Sequence, residues 1–145
     1  MIVREVMTAN PETLEADSTV GEALMKFIEG DYRHLPVTKN GQLIGIISER
    51  DLRGHMLPID QAKLFPAQAK AHLETNLEDI VQDDVMAVTP DMPIKEVIDL
   101  MAEQKMGAFP VMDPEADELV GIVSYIDILR AAREILRLNA ITAIS

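Results

Sequence analysis

The sequence predicts a mixed α/β (α+β) chain of two tandem, pseudo-symmetric repeats, each a small sheet packed by helices. Three observations carry that prediction. Two long passages share residues in the same order. Within each, the apolar spacing changes from helix period to strand period and back. Each passage also ends on the same Ser-x-x-Asp step into a further helix.

The first passage reads VMTANPETLEADSTVGEALMKFIEGDYRHLPVTKNGQLIGIISERDLR, and the second VMAVTPDMPIKEVIDLMAEQKMGAFPVMDPEADELVGIVSYIDILR. Val6-Met7 aligns with Val85-Met86, Asp17 with Asp91, Pro36 with Pro110, Gly45 with Gly121, Ser48 with Ser124 and Asp51 with Asp127. The offset is 79 at the Met pair, 74 at the first Asp pair and 76 at the Gly pair, so one deletion and one insertion separate the copies. An internal duplication accounts for this order of identities.

Each copy starts with an extended lead-in. Val20, Ala23, Leu24, Phe27 and Ile28 then follow the spacing of a helix with one buried stripe, and Ile94, Val97, Ile98 and Met101 repeat it. Thr19 with Glu22 fits a capping box, and Pro93 fits a first helical turn. Gly30 and Gly107 follow these helices and are expected to close them in the left-handed conformation. A strand comes next, Leu35 to Thr38 or Phe109 to Met112. Asn40-Gly41 is a two-residue hairpin signal, replaced in the second copy by the longer acidic loop Asp113 to Glu118. The returning strands are Leu43 to Ile47 and Leu119 to Val123. The helix after Ser48 is cut short near Gly54, whereas the one from about Tyr125 runs toward Leu138. The repeats are placed at 1–58 and 80–138, with a connector at 59–79 and a tail at 139–145. In the connector region Ala69, Leu73, Leu77 and Ile80 have helical spacing, while Thr75 with Glu78 suggests a fresh helix start.

Composition narrows the function. The chain has 145 residues and a formal net charge of −12, which argues against a nucleic-acid partner. It has no Cys, which removes disulfides, thiolate chemistry and Cys-based zinc sites. There is no His-Glu-x-x-His signature and no phosphate loop ending in Lys-Ser/Thr. His34, His55 and His72 lack metal-ligand spacing. The opening MIVREVM lacks a secretory apolar stretch, and no run reaches the ~20 apolar residues of a membrane helix. The expectation is a cytoplasmic protein without membrane insertion, catalytic residues, metal or catalytic cofactor.

The paired passages resemble the cystathionine β-synthase (CBS) domain family. The resemblance rests on the VM lead-ins, on HLPV at 34–37 and AFPV at 108–111, and most of all on GIISERD at 45–51 and GIVSYID at 121–127. The layout is also similar to small stand-alone bacterial CBS-pair proteins of the acetoin-utilisation regulator type. The resemblance implies a tandem CBS-domain pair that binds an adenine nucleotide (AMP, ADP or ATP) or another adenosyl compound. It also implies a homodimer and regulation of a partner enzyme or transporter. The alternative is a ligand-free structural or interaction scaffold.

Read alone, Ser48 to Asp51 and Ser124 to Asp127 are helix caps. A capping Asp is also acceptor-only when ionised, so it can accept from two adjacent ribose hydroxyls. The resemblance implies ribose recognition by Asp51 and Asp127, with Ser48 and Ser124 as hydroxyl partners to sugar or phosphate. It likewise implies phosphate contact by Arg33 and His34. Read without it, these two are a solvated pair. Gly107 and Ala108 stand at the matching positions of the second copy, so the two clefts are expected to be unequal. The adenine slot is expected among Met7, Thr8, Val20, Pro36 and Val37 in the first copy. In the second it is expected among Met86, Ala87, Ile94, Pro110 and Val111. Each of these residues is equally explained as core.

Overall fold

A computed structural model describes residues 1–81 and 85–144, with side chains described through 141. The chain divides into two compact units. One comprises residues 12–85; the other joins 1–11 to 86–145.

In the unit of residues 12–85, a short strand β2 (Leu14–Glu15) lies parallel to β3 (His34–Lys39), and β3 pairs antiparallel with β4 (Gln42–Ser48). Helix α2 (Val20–Glu29) buries Val20, Ala23 and Phe27, the stripe expected from their spacing. Thr19 caps it by accepting from the Glu22 N–H at 3.1 Å, which is the half of the capping box that the structure forms. The β3–β4 turn places Asn40 and Gly41 at φ 52° and 78°, as a type I′ hairpin requires. Leu14, Val20, Phe27, Leu35, Val37, Ile47, Leu52 and Leu77 form one core. Helix α3 (Glu49–Arg53) contributes Leu52 to it and stops at Gly54.

The other unit repeats this plan. Strands β5 (Ala108–Asp113) and β6 (Glu118–Ser124) pair antiparallel, and Val88 bridges Val111 in parallel as Leu14 does Val37. The register shifts after Val37 and again after Val111, leaving Ile44 and Val120 as the extra residues of matching β-bulges. Helix α6 (Ile94–Gln104) follows Pro93, which sits one residue earlier than expected, at the N-cap. Val3, Val88, Val97, Phe109, Val111 and Val123 form this core.

Four expectations are corrected. The left-handed closing residue of α6 is Lys105 (φ 54°), not Gly107, and Gly30 closes α2 in an extended conformation (φ −102°). Lys105 thus adopts a conformation that glycine takes more easily. The connector is built of α4 (Ile59–Leu64) and α5 (Pro66–Leu73), so Leu77 and Ile80 lie outside the helix that holds Ala69 and Leu73. Thr75 starts no helix. Its hydroxyl donates back to the Ala71 carbonyl at 3.2 Å, and a 3₁₀ turn at Leu77–Asp79 follows Asn76. The last helix, α7 (Tyr125–Ile144), runs past Leu138.

The compact units are not coextensive with the two sequence copies. Helix α1 (Val3–Val6) and strand β1 (Thr8–Ala9) stand at the start of the first copy but belong to the unit of the second. There β1 pairs antiparallel with β6, giving the strand order β1-β6-β5. The Val3 and Arg4 N–H groups donate to the Met92 and Pro90 carbonyls. The outer edge of β6 takes a strand from the far end of the chain, which periodicity within either copy does not encode.

Candidate functional site

The same junction is built in both units. β4 delivers Ser48 to the start of α3, and β6 delivers Ser124 to the start of α7. In the first, the Asp51 carboxylate accepts from the Ser48 N–H at 2.9 Å while the Ser48 hydroxyl accepts from the Asp51 N–H at 3.0 Å. In the second, Asp127 Oδ2 accepts from the Ser124 N–H at 2.8 Å and from the Ser124 hydroxyl at 3.1 Å. The Asp127 N–H donates back to the Ser124 hydroxyl at 3.5 Å, so both pairs are reciprocal caps, the second looser in its return bond. Each cap uses Oδ2. Among the described residues, Oδ1 of each carboxylate stays available to accept from a ligand hydroxyl.

What stands opposite each Ser differs. His34 faces Ser48 across the β3–β4 ladder, and Ala108 faces Ser124 across β5–β6. The His34 Nδ1 atom is buried and, among the described residues, finds no hydrogen-bond partner. Burial pushes the His34 imidazole below its ordinary value, the negative charge of Asp51 pulls it up in part, and Arg33 adds to the lowering. At neutral pH His34 is thus a neutral hydrogen-bonding ring, not half of a cationic pair. Arg33 is exposed.

The remaining candidates separate. Val20, Pro36 and Val37 are buried in the unit of residues 12–85, which also holds the exposed Asp51. Met7 and Thr8, assigned to that copy, instead lie in the other unit, where Thr8 pairs with Ile122. Their unit also holds Met86, Ala87, Ile94, Pro110, Val111 and Asp127. Met86 and Ala87 are exposed, Thr8 is exposed, and Pro110 and Val111 are buried. The fully buried Val20, Val37 and Val111 have side chains committed to the cores. Arg53 does not turn toward Asp51, because its guanidinium donates twice to Glu49, at 3.0 and 2.6 Å. The sequence reading did not foresee the approach of Met7 and Thr8 to Gly121. Its available signal was Gly121 itself, a glycine inside a strand, which marks close backbone approach. No cluster of three or more His, Asp or Glu side chains suited to a metal ion occurs among the described residues.

The family profile described as CBS domain matches the chain twice, over residues 3–58 and 77–134. The chain belongs to the CBS domain family. Solved CBS-pair structures share its fold over nearly its whole length. A chain from Vibrio cholerae, described as the acetoin utilization protein AcuB, is 31% identical with a TM-score of 0.78, and 97% of each chain is covered. CBSX2 in complex with AMP is 25% identical with a TM-score of 0.74, covering 92% of this chain and 97% of that one. The CBS domain pair of MJ0100, in complex with 5′-methylthioadenosine and S-adenosyl-L-methionine, is 26% identical with a TM-score of 0.74 over the same shares. The chain spans only 44%, 14% and 23% of the first three curated relatives it matches. Two of those three carry enzyme names, so there the matched CBS pair is a minor part of a longer protein.

Proposed function

We propose that this CBS pair is a non-catalytic regulatory module of the cytoplasm that senses AMP, ADP or ATP, acts as a homodimer and transmits occupancy to a partner protein. The observation that carries the reading is the buried, unpartnered His34 Nδ1 directly across the ladder from Ser48 and within the field of Asp51. Leaving a buried polar atom unpaired costs free energy, so a ligand that supplies the partner is favoured there. The free Oδ1 of Asp51 suits a ribose hydroxyl, and adenosyl ligands in the CBSX2 and MJ0100 structures support that chemistry. Signalling then requires the ligand to bind one arrangement of the pair more tightly than another. No helix among the described residues is long and apolar enough to cross a membrane.

The test is thermal unfolding against AMP, ADP, ATP, S-adenosylmethionine and adenosine, with guanine nucleotides as control, combined with native mass spectrometry of the purified protein. Stabilisation by adenine nucleotides above the guanine control is the expected result. No shift with any of these ligands overturns the reading and leaves a structural scaffold.

A further inference from the structure

Residues 1–11 belong by contact to one unit and by chain continuity to the other. In the unit that holds residues 86–145 their backbone is bonded along its length. The Val3 and Arg4 N–H groups donate to the Met92 and Pro90 carbonyls at 2.9 and 2.8 Å, and Thr8 and Ala9 pair with β6. The Asn10 N–H then donates to the Val120 carbonyl at 3.1 Å. Val3, fully buried, anchors the segment in that core.

The chain is gripped again at once, by the unit of residues 12–85. Lys26 on α2 pairs with the Glu12 carboxylate at 3.1 Å and donates to the Thr13 carbonyl at 2.9 Å. Pro11 alone separates the two attachments, and one residue spans at most about 3.6 Å. This joint has little give. Pro11 has a fixed φ. Asn10 sits at φ 49°, a left-handed conformation that a non-glycine residue keeps where its surroundings determine it. The repeat itself does not call for the clamp, because Leu100 stands in the second copy where the first has Lys26.

Each attachment adjoins one of the capped carboxylates. Lys26 precedes Phe27, which shares a core with Leu52, the neighbour of Asp51. Val120 lies on β6, which ends at Ser124, and the Ser124 N–H donates to Asp127. We propose that residues 1–11, clamped by Lys26, form a strap that relays occupancy of the Ser48–Asp51 site to β6 and the Ser124–Asp127 cap. Ligand at Asp51 fixes the start of α3 and, through Leu52 and Phe27, the position of α2. The clamp then has less slack, and β1 opens from β6 less often. A strand of two exposed residues opens at low free-energy cost, so its open population is what a small bias changes. A second ligand at Asp127 meets a β6 already ordered, which makes the coupling positive. The relay rests on the nucleotide reading above and names how occupancy leaves its site.

Residue-resolved amide exchange of the full chain tests it, with AMP as the probe and isothermal titration to establish binding. In the ligand-free protein Lys26→Met, which keeps an apolar stem, is expected to speed exchange of the Asn10 amide about tenfold, the scale of losing a hydrogen bond to a charged group. Glu12→Gln leaves α2 and the Thr13 bond intact and should show a smaller part of that effect. Amides of the β3–β4 ladder should stay within about threefold of wild type, which separates local opening from general destabilisation. Saturating AMP is expected to slow Asn10 exchange at least about threefold in wild type, and to bind Lys26→Met without slowing it. Unchanged Asn10 exchange in ligand-free Lys26→Met and Glu12→Gln overturns the clamp. AMP that binds wild type without slowing Asn10, or slows it equally in Lys26→Met, overturns the relay and leaves the nucleotide reading standing. A chain that binds none of AMP, ADP and ATP overturns both.

Discussion

Thr8 lies opposite Ile122 in an antiparallel ladder, so a residue near the chain start completes the sheet whose other strands come from residues 108–124. The close approach depends on the neighbouring residue, Gly121. A Cβ there would stand 2.6 Å from Met7 Sδ and 3.0 Å from the Thr8 carbonyl oxygen. The Met side chain can swing away, but the Thr8 carbonyl is fixed by the strand.

Gly121→Ala is therefore expected to destabilise the protein by about 1–3 kcal/mol, the usual cost of overpacking a fitted site. Urea unfolding with an unchanged m-value would measure it. Trimming Met7 to Ala in the same chain should recover only part of the loss, because the backbone clash persists. A neutral or stabilised Gly121→Ala variant would show that β1 is not held against β6.

His34 gives the protein a pH dependence of defined sign. Its ordinary value is 6.5, and burial lowers it in the folded state. Below pH 6.5 the unfolded chain binds a proton that the folded chain resists, so stability rises with pH in that window. The contribution is fully present above 6.5 and is lost as pH falls toward the lower folded value. Chemical denaturation between pH 7.5 and 5.5 should therefore show a smaller loss on acidification for His34→Gln than for wild type. Equal slopes would mean that the ring is solvated in the folded state.

Much of this architecture was legible in single residues. The stripe Val20, Ala23, Phe27 is buried as its period demands, and Asn40-Gly41 makes the hairpin turn that its positive φ angles require. The Ser-x-x-Asp caps also form as spaced, because a cap is decided within four residues. What sequence spacing could not reveal was non-local. Nothing near Thr8 states that its partner lies more than a hundred residues away, and nothing in the Arg33-His34 dipeptide states that Nδ1 of the half-buried ring is sealed from solvent while the Arg33 side chain is exposed. The errors at Gly107 and Thr75 have a different origin. There, local propensity was overridden, by Lys105 taking the left-handed turn and by Thr75 bonding back to Ala71.

The two carboxylates at the caps allow capping and ligand recognition to be separated. Asp→Asn retains an oxygen that can accept from the Ser N–H, so Asp51→Asn and Asp127→Asn should keep most of the cap; losing a cap outright costs about 1 kcal/mol. Both changes remove the charge that makes the other carboxylate oxygen a strong acceptor for ribose hydroxyls. Losing a hydrogen bond to a charged acceptor costs about 1.5–3 kcal/mol, about tenfold or more in affinity. The two positions should not respond alike. Asp51 shares its site with His34, whereas Ala108 offers no polar group opposite Ser124. Isothermal titration with adenosine, AMP and ATP is expected to show the larger loss for Asp51→Asn, with all three ligands affected because the ribose is common to them. Arg33→Ala should weaken AMP and ATP and spare adenosine if its guanidinium meets phosphate. If both Asn variants bind every ligand as wild type does, with unfolding midpoints near wild type, Ser48–Asp51 and Ser124–Asp127 are caps alone and ribose recognition lies elsewhere.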